Sequence, residues 1–119
     1  MLTFSYPLLL DGATGTALQK AGMPAGVCTE QWVLDHPQPL IALQRAYVAA
    51  GSAVVYAPTF GANRALLRRH RIDADVASYV RRLVALSREA VGDRAVIAGD
   101  MTTTGSSFTD GAEETLDIY

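Results

Sequence analysis

The chain has 119 residues, of which half are apolar and 18% are charged, and its formal net charge at pH 7 is −2. This length suits one domain, and the nearly balanced charge argues against the basic surface that nucleic-acid binding requires. The N-terminal apolar run stops at Asp11, which is too early for a signal peptide or a membrane span. We therefore expect a cytoplasmic protein whose partners are neither nucleic acids nor membranes.

The apolar run Leu8-Leu9-Leu10 predicts a buried parallel strand that ends at Asp11. Gly12 and Gly15 follow in a turn whose backbone N–H groups can hold a small anion, and the carboxylate of Asp11 can hold an ammonium group. A ligand that carries both groups, such as an amino acid, suits this loop. In the alternative interpretation, Asp11 only caps a turn and the glycines only form it.

Helical propensity and apolar periodicity predict five helices, at residues 16–22, 30–34, 39–50, 63–71 and 76–91. The third is expected to begin at Pro39, because proline is favoured at the first helical position. Two β-rich runs, at residues 53–57 and 95–98, predict two further strands. Asp110 and Glu113 form a capping box that predicts another helix after the third strand.

Strands that alternate with helices predict right-handed βαβ crossovers and a parallel sheet. Each strand is followed by a loop with glycine and hydroxyl residues: Gly12 and Thr14, then Thr59 and Gly61, then Gly99 and Thr102 to Thr104. Three such loops would line one face, which carries the active site in a complete barrel of about 250 residues. Three strands cannot close a barrel and would leave apolar edges exposed, so we expect a larger unit.

Several reactive side chains receive no site assignment. The single cysteine, Cys28, excludes an internal disulfide and cannot by itself form a structural zinc site, so we interpret it as a small, partly buried residue. His36 precedes a proline, and His70 lies in a basic cluster with Arg64, Arg68, Arg69 and Arg71. We interpret this cluster as the charged end of a helix, with phosphate binding as the alternative.

Four stretches of sequence carry a family resemblance. They are LLDGATGT at residues 9–16, AYVAAGS at 46–52, TFGANR at 59–64, and AGD at 98–100 followed by Thr104-Gly105. Each is weakly specific by itself, but together and in this order they resemble the homocysteine S-methyltransferase family. That family includes the homocysteine-binding domain of cobalamin-dependent methionine synthase and betaine–homocysteine methyltransferase.

The resemblance implies a fold and a reaction. Members of the family are (β/α)8 TIM barrels of about 300 residues, so residues 1–119 would be the N-terminal segment of one homocysteine-binding barrel domain. Three cysteines near later strand ends bind zinc, which holds homocysteine as a thiolate. The thiolate attacks an activated methyl group to give methionine. The methyl donor could be a cobalamin, a folate, betaine or a sulfonium compound.

The resemblance also implies roles for individual residues. Asp11 is expected at the amino group of homocysteine, the backbone of Gly12 and Ala13 near its carboxylate, and Thr59 as a further contact. Two departures from the family pattern affect the neighbouring loops. Pro58 stands where many relatives have asparagine, and Thr102-Thr103 replaces a Gly-Pro or Ser-Pro pair.

Two hypotheses about function follow. In the first, the segment belongs to a zinc-dependent homocysteine methyltransferase, and by itself it is inactive because the metal cysteines would lie beyond Tyr119. In the second, it is a non-catalytic binding or structural piece that self-associates through the open barrel edge or pairs with a complementary segment. A phosphatase-type aspartate nucleophile is disfavoured, because Ala13 stands where that motif has a second aspartate.

Overall fold

A computed structural model of the chain describes residues 4–104. The fold is α/β, as the sequence predicts, with five helices and a two-stranded parallel sheet over this range. The elements are α1 (Gly15–Lys20), α2 (Thr29–Asp35), α3 (Pro37–Ala49), β1 (Val54–Tyr56), α4 (Arg64–Arg69), α5 (Val76–Val91) and β2 (Val96–Ala98). The helix predicted at Asp110 and Glu113 lies outside the described residues, as does Gly105.

The three apolar runs are parallel to one another, as predicted. β1 pairs with β2 in a register that sets Val54 opposite Val96. Leu10 forms an isolated parallel bridge with Val54, and the N–H of Asp11 donates to the carbonyl oxygen of Val54 at 3.0 Å. Because the runs are parallel, the loops that follow them meet at one edge of the sheet.

The prediction of a buried strand at residues 8–10 is wrong. This run forms a single bridge rather than a regular strand, and the side chains of Leu9 and Leu10 are 56% and 44% exposed. The run pairs only with β1, and within residues 4–104 no further strand lies beside it. An apolar sequence therefore occupies an uncovered edge, where the sequence pattern alone predicts burial.

Three of the five described helices, α3, α4 and α5, begin where a side chain caps the first turn or a proline occupies it. The Oδ1 atom of Asn63 accepts from the N–H of Leu66 at 3.0 Å to cap α4, and Asp75 caps α5 through the N–H of Ser78. The bounds of α5 are those predicted. The predicted start of the third helix at Pro39 is wrong by two residues, because Pro37 already occupies the first position, where its missing N–H costs nothing.

Two buried clusters hold the elements together. The first joins the helices through eight side chains: Leu18, Met23, Val33, Leu40, Ala62, Leu67, Tyr79 and Leu83. The second joins α3 and α5 to the sheet through Ile41, Val55, Ala90, Val91 and Ala95. The helical packing thereby fixes β1 in place. Across the described part of the chain, every helix is too short or too polar to span a lipid bilayer.

Three helices end in the same hydrogen-bonded turn, in which the residue after the C-cap has a positive φ angle. Gly22 and Gly51 occupy this position after α1 and α3, with φ angles of 112° and 111°. After α4 the position belongs to Arg71, with a φ angle of 59°. The N–H of Ile72 donates to the carbonyl oxygen of Leu67 at 2.9 Å, which closes the turn.

Replacing Arg71 by glycine is expected to raise the free energy of unfolding by about 0.5–1 kcal/mol, because glycine adopts this backbone conformation without the steric cost of a Cβ atom. The reciprocal change, Gly22→Ala, should lower the free energy of unfolding. Its Cβ atom would meet open space, so the loss would come from the strained φ angle alone. Urea denaturation followed by circular dichroism measures both. A destabilised Arg71→Gly variant would contradict the assignment.

Candidate functional site

A cavity of about 350 Å³ lies where the loops after the three parallel runs meet. Its lining includes Asp11 from the first loop, Tyr56 and Pro58 from the end of β1, and Asp100 from the loop after β2. Glu30, at the start of α2, completes one wall. The prediction that these loops come together at one face is confirmed.

Asp11 is held in the cavity by the neighbouring strand. Its Oδ2 atom accepts a hydrogen bond from the N–H of Tyr56 at 3.0 Å. Partial burial raises the pKa of the Asp11 carboxyl, the bond from Tyr56 opposes this rise, and the nearby carboxylate of Asp100 adds to it. A cation placed beside Asp11 would relieve both the desolvation and the repulsion.

The loop after Asp11 is positioned by Tyr47 of α3. The hydroxyl of Tyr47 donates to the carbonyl oxygen of Ala13 at 2.7 Å. A Cβ atom on Gly12 would lie 2.8 Å from the Tyr47 oxygen, so a larger residue at this position would displace the Tyr47 ring. Gly12 lines the cavity and Ala13 lies beside it, and within residues 4–104 no hydrogen bond occupies the backbone N–H of either residue. In the sequence analysis, Tyr47 belongs to the AYVAAGS stretch of the family resemblance and receives no role at the site.

Thr59 joins the loops after β1 and β2. Its hydroxyl donates to the carbonyl oxygen of Asp100 at 2.9 Å and accepts from the N–H of Asp100 at 3.0 Å. Thr59 is buried and lines a neighbouring cavity of about 240 Å³ rather than the larger one. Its hydroxyl is therefore engaged by the backbone at the edge of the candidate site.

Sequence reasoning missed Glu30. This side chain is buried, and its Oε1 atom accepts from the N–H of Gly61 at 2.7 Å. The thiol of Cys28 donates to Oε2 of Glu30 at 3.4 Å, and burial is the largest cause of the raised pKa of this thiol. Cys28 is a buried small residue, as interpreted. A glutamate in the first turn of a helix gives no sequence signal that it is buried.

The described residues do not fit a metal ion. Within residues 4–104 no three side chains among His, Cys, Asp and Glu converge on a possible metal position. His36 stacks on Trp32 with 4.7 Å between ring centroids, away from the cavity lining. In the basic cluster, Arg68 and Arg69 lie in the last turn of α4, which agrees with a charged helix end.

The comparisons with known proteins identify a family. The model for the family described as Homocysteine S-methyltransferase matches residues 8–119. The comparison with curated proteins gave no match. The matched range contains every residue predicted for the substrate site: Asp11, Gly12, Ala13 and Thr59.

Replacing Thr59 by valine is expected to lower the free energy of unfolding by about 1–3 kcal/mol, because the isosteric side chain leaves both backbone groups of Asp100 without their buried partner. Thr59→Ser keeps the hydroxyl, so its free energy of unfolding should fall much less. Urea denaturation compares the two variants. Equal losses would show that the methyl group of Thr59, rather than its hydroxyl, stabilises the loops.

The raised pKa of Asp11 predicts a pH dependence of stability. The folded state holds the proton more tightly than the unfolded chain, so the free energy of unfolding should fall as pH rises from the ordinary aspartate pKa to the raised value. Asp11→Asn should remove this fall. The pKa of Asp75 is lowered by its bonds to Ser78. Asp75 should therefore make the free energy of unfolding rise with pH. Urea denaturation from pH 3 to 7 tests both effects. If the free energy of unfolding of Asp11→Asn depended on pH as in the unmodified chain, the raised pKa would not belong to Asp11.

Proposed function

The chain belongs to the homocysteine S-methyltransferase family, and we propose that the cavity at the ends of its parallel runs binds the amino-acid part of homocysteine. One observation carries the proposal. Asp11 and Gly12 line the cavity, and within residues 4–104 no hydrogen bond occupies the N–H of Gly12 or of Ala13, the next residue along the chain. An acceptor and a pair of donors side by side match the ammonium and carboxylate groups of an amino acid.

Asp11 is proposed to bind the ammonium group. The N–H of Tyr56 fixes one carboxylate oxygen, so the side chain is already oriented before the ligand arrives. The ammonium charge would stabilise the ionised form of Asp11, whose pKa is raised by burial and by Asp100. Ligand binding should therefore be accompanied by release of a proton where Asp11 is partly protonated.

Gly12 and Ala13 are proposed to bind the carboxylate through their backbone. The bond from Tyr47 to the carbonyl oxygen of Ala13 holds the loop, which lowers the conformational entropy lost on binding. Thr59 completes the proposed set. Since its hydroxyl exchanges two hydrogen bonds with Asp100, we propose that it supports the ligand by keeping that part of the cavity wall in place.

Zinc, and cobalamin or folate as methyl donor, are implied by the family and do not enter the steps proposed for this chain. The sequence has one cysteine, and the residues described at 4–104 do not fit a metal ion. Substrate binding is accordingly the role that we assign to residues 1–119. That they form the N-terminal part of a (β/α)8 barrel stays a proposal, supported by the parallel runs and the shared loop edge.

A second candidate function is self-association through the open sheet edge. The exposed side chains of Leu9 and Leu10 favour it, because uncovered apolar edges commonly pair with another chain. Sedimentation velocity across a range of protein concentrations tests this candidate. A monomer at every concentration would rule it out without affecting the proposal for the cavity.

Asp11→Asn is expected to weaken homocysteine binding about tenfold or more, because it removes a charge-assisted hydrogen bond to the ammonium group. The affinity for 4-mercaptobutanoate, which is homocysteine without its amino group, should change little. Isothermal titration calorimetry under reducing conditions measures both. Asp93→Asn is the matched control, because it removes the same charge from a fully exposed side chain. Equal weakening of the two ligands would contradict the assigned role of Asp11.

A further inference from the structure

Glu30 has no part in the proposed contacts with the amino acid, yet it lines the same cavity as Asp11 and is only 8% exposed. Within residues 4–104 its charge is not balanced by an ion pair. A buried carboxylate is costly unless its oxygens accept hydrogen bonds. Both oxygens of Glu30 do so, from the N–H of Gly61 and from the thiol of Cys28.

The contact between Glu30 and Gly61 is closer than a side chain at position 61 would allow. A Cβ atom on Gly61 would lie 2.9 Å from Oε1 and 3.0 Å from Oε2 of Glu30. The φ angle of Gly61 is not in the positive region, so its backbone conformation is open to any residue. A side chain at position 61 would therefore displace the carboxylate of Glu30, although the turn itself would accept it.

The loop after β1 is held at two points with one exposed ring between them. Thr59 bonds to the backbone of Asp100, and Gly61 bonds to Glu30. Phe60 lies between these two points, is 54% exposed, and lines both the larger and the smaller cavity. The two bonds restrain the backbone on either side of Phe60, and so set the position from which its side chain extends.

We infer that Glu30 is a positioning residue of the site: its carboxylate anchors the loop to α2 and thereby holds Phe60 as the apolar wall for the side chain of the bound amino acid. This inference rests on the proposed function. It assigns two tasks to different parts of the cavity. Asp11 and its loop bind the groups common to all amino acids, and the wall held by Glu30 selects the thiol-bearing side chain of homocysteine.

The anchor is tested without any ligand by amide hydrogen exchange. Glu30→Ala should speed exchange at the N–H of Gly61 about tenfold or more, because it removes a hydrogen bond to a charged acceptor. Glu30→Gln keeps an acceptor oxygen and should restore slow exchange. Gln31→Ala is the matched control on the same helix, since its side chain bonds to Asp35 and Tyr79 rather than to the loop.

Gly61→Ala provides a second variant that leaves α2 intact. Its Cβ atom would displace the carboxylate of Glu30, so it should reproduce the effect of Glu30→Ala on loop position even if Glu30→Ala fails to fold. NMR chemical shifts of Phe60 report this displacement directly. Unchanged shifts of Phe60 in the folded Gly61→Ala variant would overturn the inference.

The wall is tested by comparing homocysteine with glycine, which has the same charged groups and no side chain. Glu30→Ala and Gly61→Ala should lower the affinity for homocysteine about fivefold or more, because the apolar contact with its side chain is lost. The affinity for glycine should stay within about twofold. Equal weakening of both ligands would overturn the selective role. Failure of the unmodified chain to bind either ligand would overturn the proposed function. Hydrogen exchange at the N–H of Gly61 would still show whether Glu30 anchors the loop.

Discussion

The structure around the cavity depends on two hydrogen bonds between Asp11 and β1. The backbone N–H of Asp11 donates to the carbonyl oxygen of Val54, and the side chain accepts from the N–H of Tyr56. In a regular parallel ladder, the next bond from Tyr56 would go to the main-chain carbonyl of residue 11. Here the carboxylate takes that place, so the backbone leaves the sheet while its last side chain stays attached to it. Because the carboxylate replaces the main-chain carbonyl as the acceptor, the loop starts at Asp11 and its direction is set there.

The charges of the cavity are asymmetric. Three carboxylates line it, those of Asp11, Glu30 and Asp100, and its lining within the described residues includes no basic side chain. Such a cavity favours a cationic group. In the proposed binding mode, the carboxylate of the ligand would depend on backbone N–H groups that carry only partial charge. The placement of the loop by Tyr47 would therefore matter more for the proposed binding of the carboxylate than for that of the ammonium group.

The sequence predicts the parallel arrangement and the meeting of the loops, because strand periodicity and turn residues are local signals. The bounds of α5 follow from its apolar spacing and the following glycine. It does not predict the exposure of Leu9 and Leu10, since burial depends on what lies beside a strand rather than on its composition. It also does not reveal Glu30 or Tyr47, whose partners are 31 and 34 residues away in the sequence.

The positions of these hydrogen-bonded residues along the chain determine which parts of the cavity can form first during synthesis. The bonds from Tyr47 to Ala13, from Tyr56 to Asp11 and from Gly61 to Glu30 all lie between residues 11 and 61. The pair formed by Thr59 and Asp100 reaches further. A nascent chain thus contains both partners of each of these three bonds once Gly61 has been translated, before the residues of β2 have been made to close the other side of the cavity.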